Sequence, residues 1–260
     1  MNVNLHGKVI VVSGGTKGVG KALVLACARA GAAVVVGGRD AIAGQAIIEQ
    51  VQKDDGVKGL FVLTDLHRVE DCQNLIDATM ANFGRLDGFV NYAGITPAGL
   101  LTETPEAVYD DVFAINTKAA FFCAQNAVKA MLKTGGGSIV FIGSGHGYGG
   151  EKDRAAYACS KGALLTLMKH IARNYVKEGI RSNWISMGWV ATDGELALRE
   201  GQGRDRAWLD QAAADSIPMG RLSTIEEQVP GILYMLSDDS AMVTGTEIHA
   251  TGGLMTLPGA

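Results

Sequence analysis

The chain has 260 residues, 47% of them hydrophobic and 19% charged, which is enough apolar content to bury a large core and too much for a disordered chain. With 23 Lys+Arg against 27 Asp+Glu the formal net charge is −4, and without a basic block neither nucleic acid nor an anionic membrane is expected as a partner. The absence of a basic leader or a bilayer-length apolar run, and the scatter of Cys27, Cys72, Cys123 and Cys159 without metal-ligand spacing, lead to the expectation of a cytoplasmic protein with reduced cysteines and no metal.

In chain order, short β-branched runs alternate with longer amphipathic stretches. Strands are expected at 8–14 (KVIVVSG), 33–39 (AVVVGGR), 58–66 (KGLFVLTDL) and 86–94 (LDGFVNYAG). Helices at 20–31, about 41–53 and 69–84 separate them, with Gly31 and Gly84 at helix ends. The second half continues with one long helix over roughly 105–133, a strand at 138–144 (SIVFIGS), a helix over about 155–178 and a strand at 180–188 (IRSNWISMG). Thr224 and Glu227 have capping-box spacing at the start of a later helix, Pro230 is expected to kink that helix, and a last short strand covers 247–251. This alternation implies an α/β fold with a doubly wound parallel sheet of about seven strands, helices on both faces, and one domain over 1–260.

After the first strand, SGGTKGVG places Gly14, Gly18 and Gly20 in a G-x-x-x-G-x-G turn that also holds Thr16, Lys17 and Val19. Glycines there let the backbone turn tightly against a ligand's phosphates while the next helix aims its N-terminus at their charge. About 20 residues on, where an NAD site offers a carboxylate to the ribose, the chain has Gly38 followed by Arg39. Lys17 and Arg39 together favour a ribose 2′-phosphate, so NADP(H) is expected and NAD(H) is the second choice. The alternative, in which Asp40 serves the ribose and Arg39 lies on the surface, remains open at this point.

Tyr157 and Lys161 stand four residues apart in YACSK, one helical turn. A free phenol is a poor acid/base at neutral pH, and an ammonium one turn away is expected to favour the phenolate and lower its pKa. Ser144, at the end of the preceding strand, is placed to donate to a substrate carbonyl oxygen.

Together, Gly14-x-x-x-Gly18-x-Gly20, the NYAG segment at 91–94, Asn116, Ser144 and Tyr157-x-x-x-Lys161 resemble, in order and spacing, the short-chain dehydrogenase/reductase family, and the likeness covers nearly the whole chain. The resemblance implies a three-layer Rossmann fold and hydride transfer between a nicotinamide coenzyme and a secondary alcohol or ketone. It makes Asn116, Ser144, Tyr157 and Lys161 the catalytic set, with Lys161 also on the nicotinamide ribose and Asn116 holding a relay water. It places Asp65 and Leu66 at the adenine, Asn91, Ala93 and Gly94 in the coenzyme turn, and Gly188, Val190 and Thr192 at the carboxamide. Tyr92 replaces the family's second asparagine, with only local rearrangement of bonds expected, and Met187-Gly188 replaces its usual Pro-Gly. Many relatives carry a second serine where this chain has Gly143, so the serine role falls on Ser144 alone. Ala158, Cys159 and Ser160 are expected to be small because coenzyme and a neighbouring helix crowd that face.

By the same resemblance, about 189–218 forms a loop covering the substrate, and the helices at 105–133 and 155–178 pack against another subunit, giving a homotetramer or a dimer. The covering loop is charged, and His146, Tyr148 and Trp189 are expected to line a pocket for a polar substrate such as a sugar, polyol or hydroxy acid. Reduction of a 3-oxoacyl group on an acidic carrier protein, with Lys129 and Arg173 in the docking surface, is the enzymatic alternative. A non-catalytic nucleotide-sensing regulator is the alternative of another class.

Overall fold

The computed structural model describes residues 3–255. Seven strands form one sheet: β1 (Val9–Ser13), β2 (Ala33–Gly38), β3 (Gly59–Leu63), β4 (Gly88–Asn91), β5 (Gly137–Ser144), β6 (Ile180–Met187) and β7 (Glu247–Ala250). Their order is β3-β2-β1-β4-β5-β6-β7, and every neighbouring pair is parallel. Residues alternate between faces along each strand, so Val9 and Val11 enter one apolar core while Ile10 and Val12 enter the other. Both faces must therefore be covered, and helices cover them.

On one face α1 (Gly18–Arg29), α2 (Ala41–Asp54) and α9 (Ile225–Leu236) pack over Val12, Val36 and Ile185. On the other, α3 (Val69–Phe83), α5 (Ala120–Thr134) and α6 (Ala155–Asn174) enclose Phe89, Phe141 and Trp184, each fully buried. Burying side chains of this size stabilises the fold by roughly 1.5–3 kcal/mol each. The chain starts at β1, winds outward through β2 and β3, then returns to β4 on the other side of β1. The carboxyl ends of β1 and β4 thus flank the switch point, where open α/β sheets carry their ligand crevice.

The structure differs from the sequence expectation in three places. The single helix expected over 105–133 is α4 (Glu106–Phe113), a six-residue π-helical stretch over Ala114–Ala119, and α5. Asn116 lies in the wide turn, where its amide both accepts from Ile95 N and donates to Ile95 O, each at 2.8 Å. Such π stretches are frequent at functional sites. Second, α6 ends at Asn174, and a 3₁₀ turn over Val176–Glu178 completes the expected segment. Third, the expected covering loop folds into α7 (Asp193–Gly201) and α8 (Arg206–Ser216). Thr192 caps α7 through Glu195 N, and Asp205 caps α8 through Trp208 N. The expected capping box at Thr224 and Glu227 is formed, and α9 runs on through Pro230.

Candidate active site

Ser13 and Asn91 pair at the ends of β1 and β4, so the glycine turn and the 92–95 turn leave the sheet side by side. A Cβ on Gly14 would fall 2.9 Å from Ala93 Cα, and Gly14 has a φ of 79° that side chains rarely adopt. A Cβ on Gly20 would fall 2.4 Å from Gly14 O and 2.8 Å from Tyr92 Cδ1, so only glycine lets α1 start this close to the turn. Between these walls lies a cleft of about 750 Å³ at the switch point. Gly14, Thr16, Lys17, Gly18, Arg39, Asp65, Leu66, Ala93, Gly94 and Thr192 all line it. Val19, Gly20 and Asn91 are buried behind that surface, as is Val190, which bridges to Ser223 outside the cleft. Gly188 lies against Thr251, whose Cα would be 2.9 Å from an added Cβ.

At the cleft's β2 end, a Cβ on Gly38 would fall 2.7 Å from Thr16 Cγ2, so the position where a ribose-binding acid would sit has no room for one. Asp40 caps α2 instead, its Oδ1 accepting from Ala43 N at 2.9 Å. Lys17 and Arg39 are exposed, line the cleft, and make no ion pair among the described residues. Asp65 is held by His67, which bonds it through Nδ1 at 2.9 Å and reaches Asp111 of α4 through Nε2 at 2.7 Å. The His67 bonds, followed by its charge and that of Arg39, keep the Asp65 carboxyl below its ordinary range.

Ser144, Tyr157, Lys161 and Asn116 converge near the other end, from β5, α6 and the π stretch. Burial pushes the Tyr157 phenol above its ordinary pKa, and its interaction with the Ser144 hydroxyl pulls the other way. This reverses the expected direction: the Lys161 ammonium is 5.6 Å from the Tyr157 ring centre and donates to Ile142 O at 2.8 Å. Lys161 is only 4% exposed, and burial brings its own pKa down to about 8. Asn116 Nδ2 donates to Ser160 Oγ at 3.1 Å, and Ser160 Oγ donates to the Tyr157 carbonyl at 2.7 Å. Gly94 closes this corner, since a Cβ there would meet Asn116 Oδ1 at 3.2 Å and Lys161 Nζ at 3.7 Å.

His146 lies beside these groups, its N donating to Ser144 Oγ at 3.3 Å and its ring edge-on to Tyr157 at 5.5 Å. Burial lowers the imidazole pKa, which favours the neutral ring. Tyr148 is half exposed and meets His249 edge-on at 5.9 Å. Trp189, the third residue expected to line the pocket, is held by its neighbours. Its Nε1 donates to Glu195 Oε1 at 2.7 Å, Arg199 covers its ring at 5.4 Å, and it packs on the small apolar cluster of Leu209, Ala213, Ile217 and Leu222. Its remaining surface faces a separate cavity of about 240 Å³ shared with Gln228 and His249.

A family model described as enoyl-(acyl carrier protein) reductase matches residues 14–255. An uncharacterized oxidoreductase of Thermotoga maritima is 34% identical over 251 residues, covering 96% of this chain and 98% of the relative. The chain belongs to the short-chain dehydrogenase/reductase family. The 3-oxoacyl-[acyl-carrier-protein] reductase of Escherichia coli is 29% identical, covering 97% of this chain and 99% of its own. Among solved structures, a short-chain type dehydrogenase/reductase from Mycobacterium marinum superposes with a TM-score of 0.88 at 29% identity, covering 98% of each chain. The protein is thus an NAD(P)-dependent oxidoreductase, and the non-catalytic alternative falls.

For a short-chain dehydrogenase/reductase, three neighbours of the site have no sequence signal, and a fourth, Tyr92, does more than its sequence position implies. His67 holds Asp65, and His249 meets Tyr148. Met255 covers Gly145, its Sδ 2.5 Å from where a Cβ would lie. Tyr92 was expected only to rearrange local bonds, but it lines the cleft. Only Tyr92 left a signal, as a departure from the family's turn; the other three contacts depend on tertiary folding.

Proposed function

We propose that the protein transfers a hydride between NADP(H) and a polar secondary alcohol or ketone. The reaction reading rests on one cluster: the Tyr157 phenol, interacting with Ser144 and backed by the buried Lys161. Lys17, Arg39 and the glycine turn would hold the coenzyme, with Asp65 and Leu66 at the adenine. A bound nicotinamide supplies or accepts the hydride. Ser144 donates to the substrate oxygen, Tyr157 gives that oxygen its proton in reduction and removes it in oxidation, and Lys161 supports the phenol's charge. Asn116, anchored on Ile95, steadies the segment and the relay toward Lys161.

NADP(H) is favoured because Gly38 leaves no room for an acid, Asp40 is engaged as a cap, and two cations face the ribose end. We read 1–260 as one domain in which 189–218, folded as α7 and α8, covers the substrate. His146 and Tyr148 would meet the substrate, and their polarity suits a sugar, polyol or hydroxy acid. The expected result is higher kcat/KM with NADP(H) than with NAD(H), and turnover of polyols or sugars ahead of long apolar ketones in a panel followed by coenzyme absorbance. A preference for NAD(H) would overturn the coenzyme assignment, and a preference for apolar ketones the substrate class.

The second reading, reduction of a 3-oxoacyl group on a carrier protein, is supported by the Escherichia coli relative and by the exposed Lys129 and Arg173. Turnover of a carrier-bound 3-oxoacyl chain above every polyol would favour it. Self-association through α4, α5 and α6, as a tetramer or dimer, belongs to the same proposal, and Tyr109 and Phe121 are exposed apolar groups there.

The pH dependence follows from Lys161. Reduction needs a protonated phenol and a charged lysine, and burial sets the lysine's pKa at about 8. Reductive kcat/KM should therefore hold below that pH and fall as pH rises through it, while oxidation, which needs the phenolate, gains with pH. A reductive profile still flat well above pH 8 would contradict the role given to Lys161.

A further inference from the structure

Tyr92 stands where the coenzyme reading puts the dinucleotide's diphosphate, and it brings a hydroxyl donor there. One edge of its ring packs against the start of α1, with Cδ1 2.8 Å and Cε1 3.0 Å from a Cβ placed on Gly20. Its hydroxyl lies 3.9 Å from a Cβ placed on Gly18, in the same stretch of cleft that Thr192 approaches from the far wall at the same distance. The backbone amides of Gly20 and Val19 interact with the phenolic oxygen. Those are first-turn amides of α1, the groups that otherwise meet an anion directly. Tyr92 lines the cleft, and its O–H donates to no group among the described residues.

We propose that Tyr92 is a coenzyme-binding residue whose O–H donates to the diphosphate, relaying the positive end of α1 one hydroxyl further into the cleft. The proposal rests on the coenzyme reading above. A phenol suits the task because burial favours its protonated form, the one that can donate to an anion. The Gly20 contact explains the pairing of residues: with any side chain at Gly20 the ring would be displaced and the hydroxyl drawn off the helix end.

The test is equilibrium binding of NADPH, read by coenzyme fluorescence, to wild-type protein and to Tyr92→Phe. Adenosine 2′-monophosphate, which has the adenosine end but no diphosphate, is titrated in parallel. The expected result is a Kd for NADPH raised about tenfold or more by Tyr92→Phe, the scale of one hydrogen bond to a charged group. Affinity for adenosine 2′-monophosphate should stay at the wild-type value. An unchanged NADPH affinity would overturn the proposal. So would equal weakening of both ligands, which would mean a distorted cleft instead of a lost phosphate bond. Wild-type protein that bound no NADPH would sink the coenzyme reading itself, a result separate from either outcome at Tyr92.

Discussion

Tyr157→Phe should lower kcat by roughly 10²–10⁴, the range contributed by a positioned general acid/base, while the Kd for NADPH stays at the wild-type value. The phenyl ring remains, so the edge-on contact with His146 and the carbonyl's bond from Ser160 Oγ are kept. What disappears is the hydroxyl and its interaction with Ser144. A melting temperature near the wild-type value would show that the fold is intact and that the loss belongs to the chemistry. Because the phenol is half-buried and its pKa is raised, it sits mainly in the protonated, donor form at neutral pH. That favours the reductive direction, so the variant's deficit should be plain in carbonyl reduction at pH 7. If most reductive activity survived, Tyr157 would not be the proton donor, and His146, the other titratable ring beside Ser144, would be next to test.

The sheet was legible because each strand is a β-branched run closed by glycine or polar residues, a pattern that local sequence carries by itself. The Ser144, Tyr157 and Lys161 set was legible for a different reason, since a serine at a strand end and a tyrosine and lysine one turn apart are local spacings. What spacing could not carry is the dielectric around them. The expectation that Lys161 lowers the Tyr157 pKa treats the pair as if in water. In the folded chain both are withdrawn from solvent, Lys161 is directed at Ile142 O, and desolvation sets both pKa values. The neighbours of Tyr157 show the same limit: Ser160 is buried and bonded as a crowded face requires, but Cys159 is exposed. α7 and α8 lie in a charged, glycine-containing stretch that the family resemblance marks as a covering loop, although Thr192-x-x-Glu195 has capping-box spacing and Leu209, Ala213 and Ile217 stand four residues apart. The π stretch at Asn116 has no sequence period of its own, and the bonds Asn116 makes to Ile95 join segments far apart in the chain.

Gly143 poses the sharpest conflict between resemblance and packing. Many relatives carry serine there, so Gly143→Ser looks conservative. Here, however, an added Cβ falls 1.8 Å from Trp184 Cε2 and 2.1 Å from Cζ2, far inside any real contact. Trp184 cannot swing away cheaply: it is fully buried in the α3, α5 and α6 core, and its Nε1 donates to Ser186 Oγ at 2.8 Å. Overpacking a well-filled core costs about 1–3 kcal/mol and occasionally more, and a rigid indole puts this case at the upper end, about 3 kcal/mol or beyond. For a chain of this size that lowers the melting temperature by roughly 6–12 °C. Activity should fall as well, because Gly143 immediately precedes Ser144, and a shifted β5 end moves its hydroxyl away from Tyr157. Trp184→Leu alone should also destabilise, by leaving a cavity. Combined with Gly143→Ser, it makes room for the new side chain, so the double variant should be less destabilised than the two single losses summed, as expected for residues in contact. A neutral Gly143→Ser, or strict additivity in the cycle, would show that the indole is not what keeps position 143 a glycine.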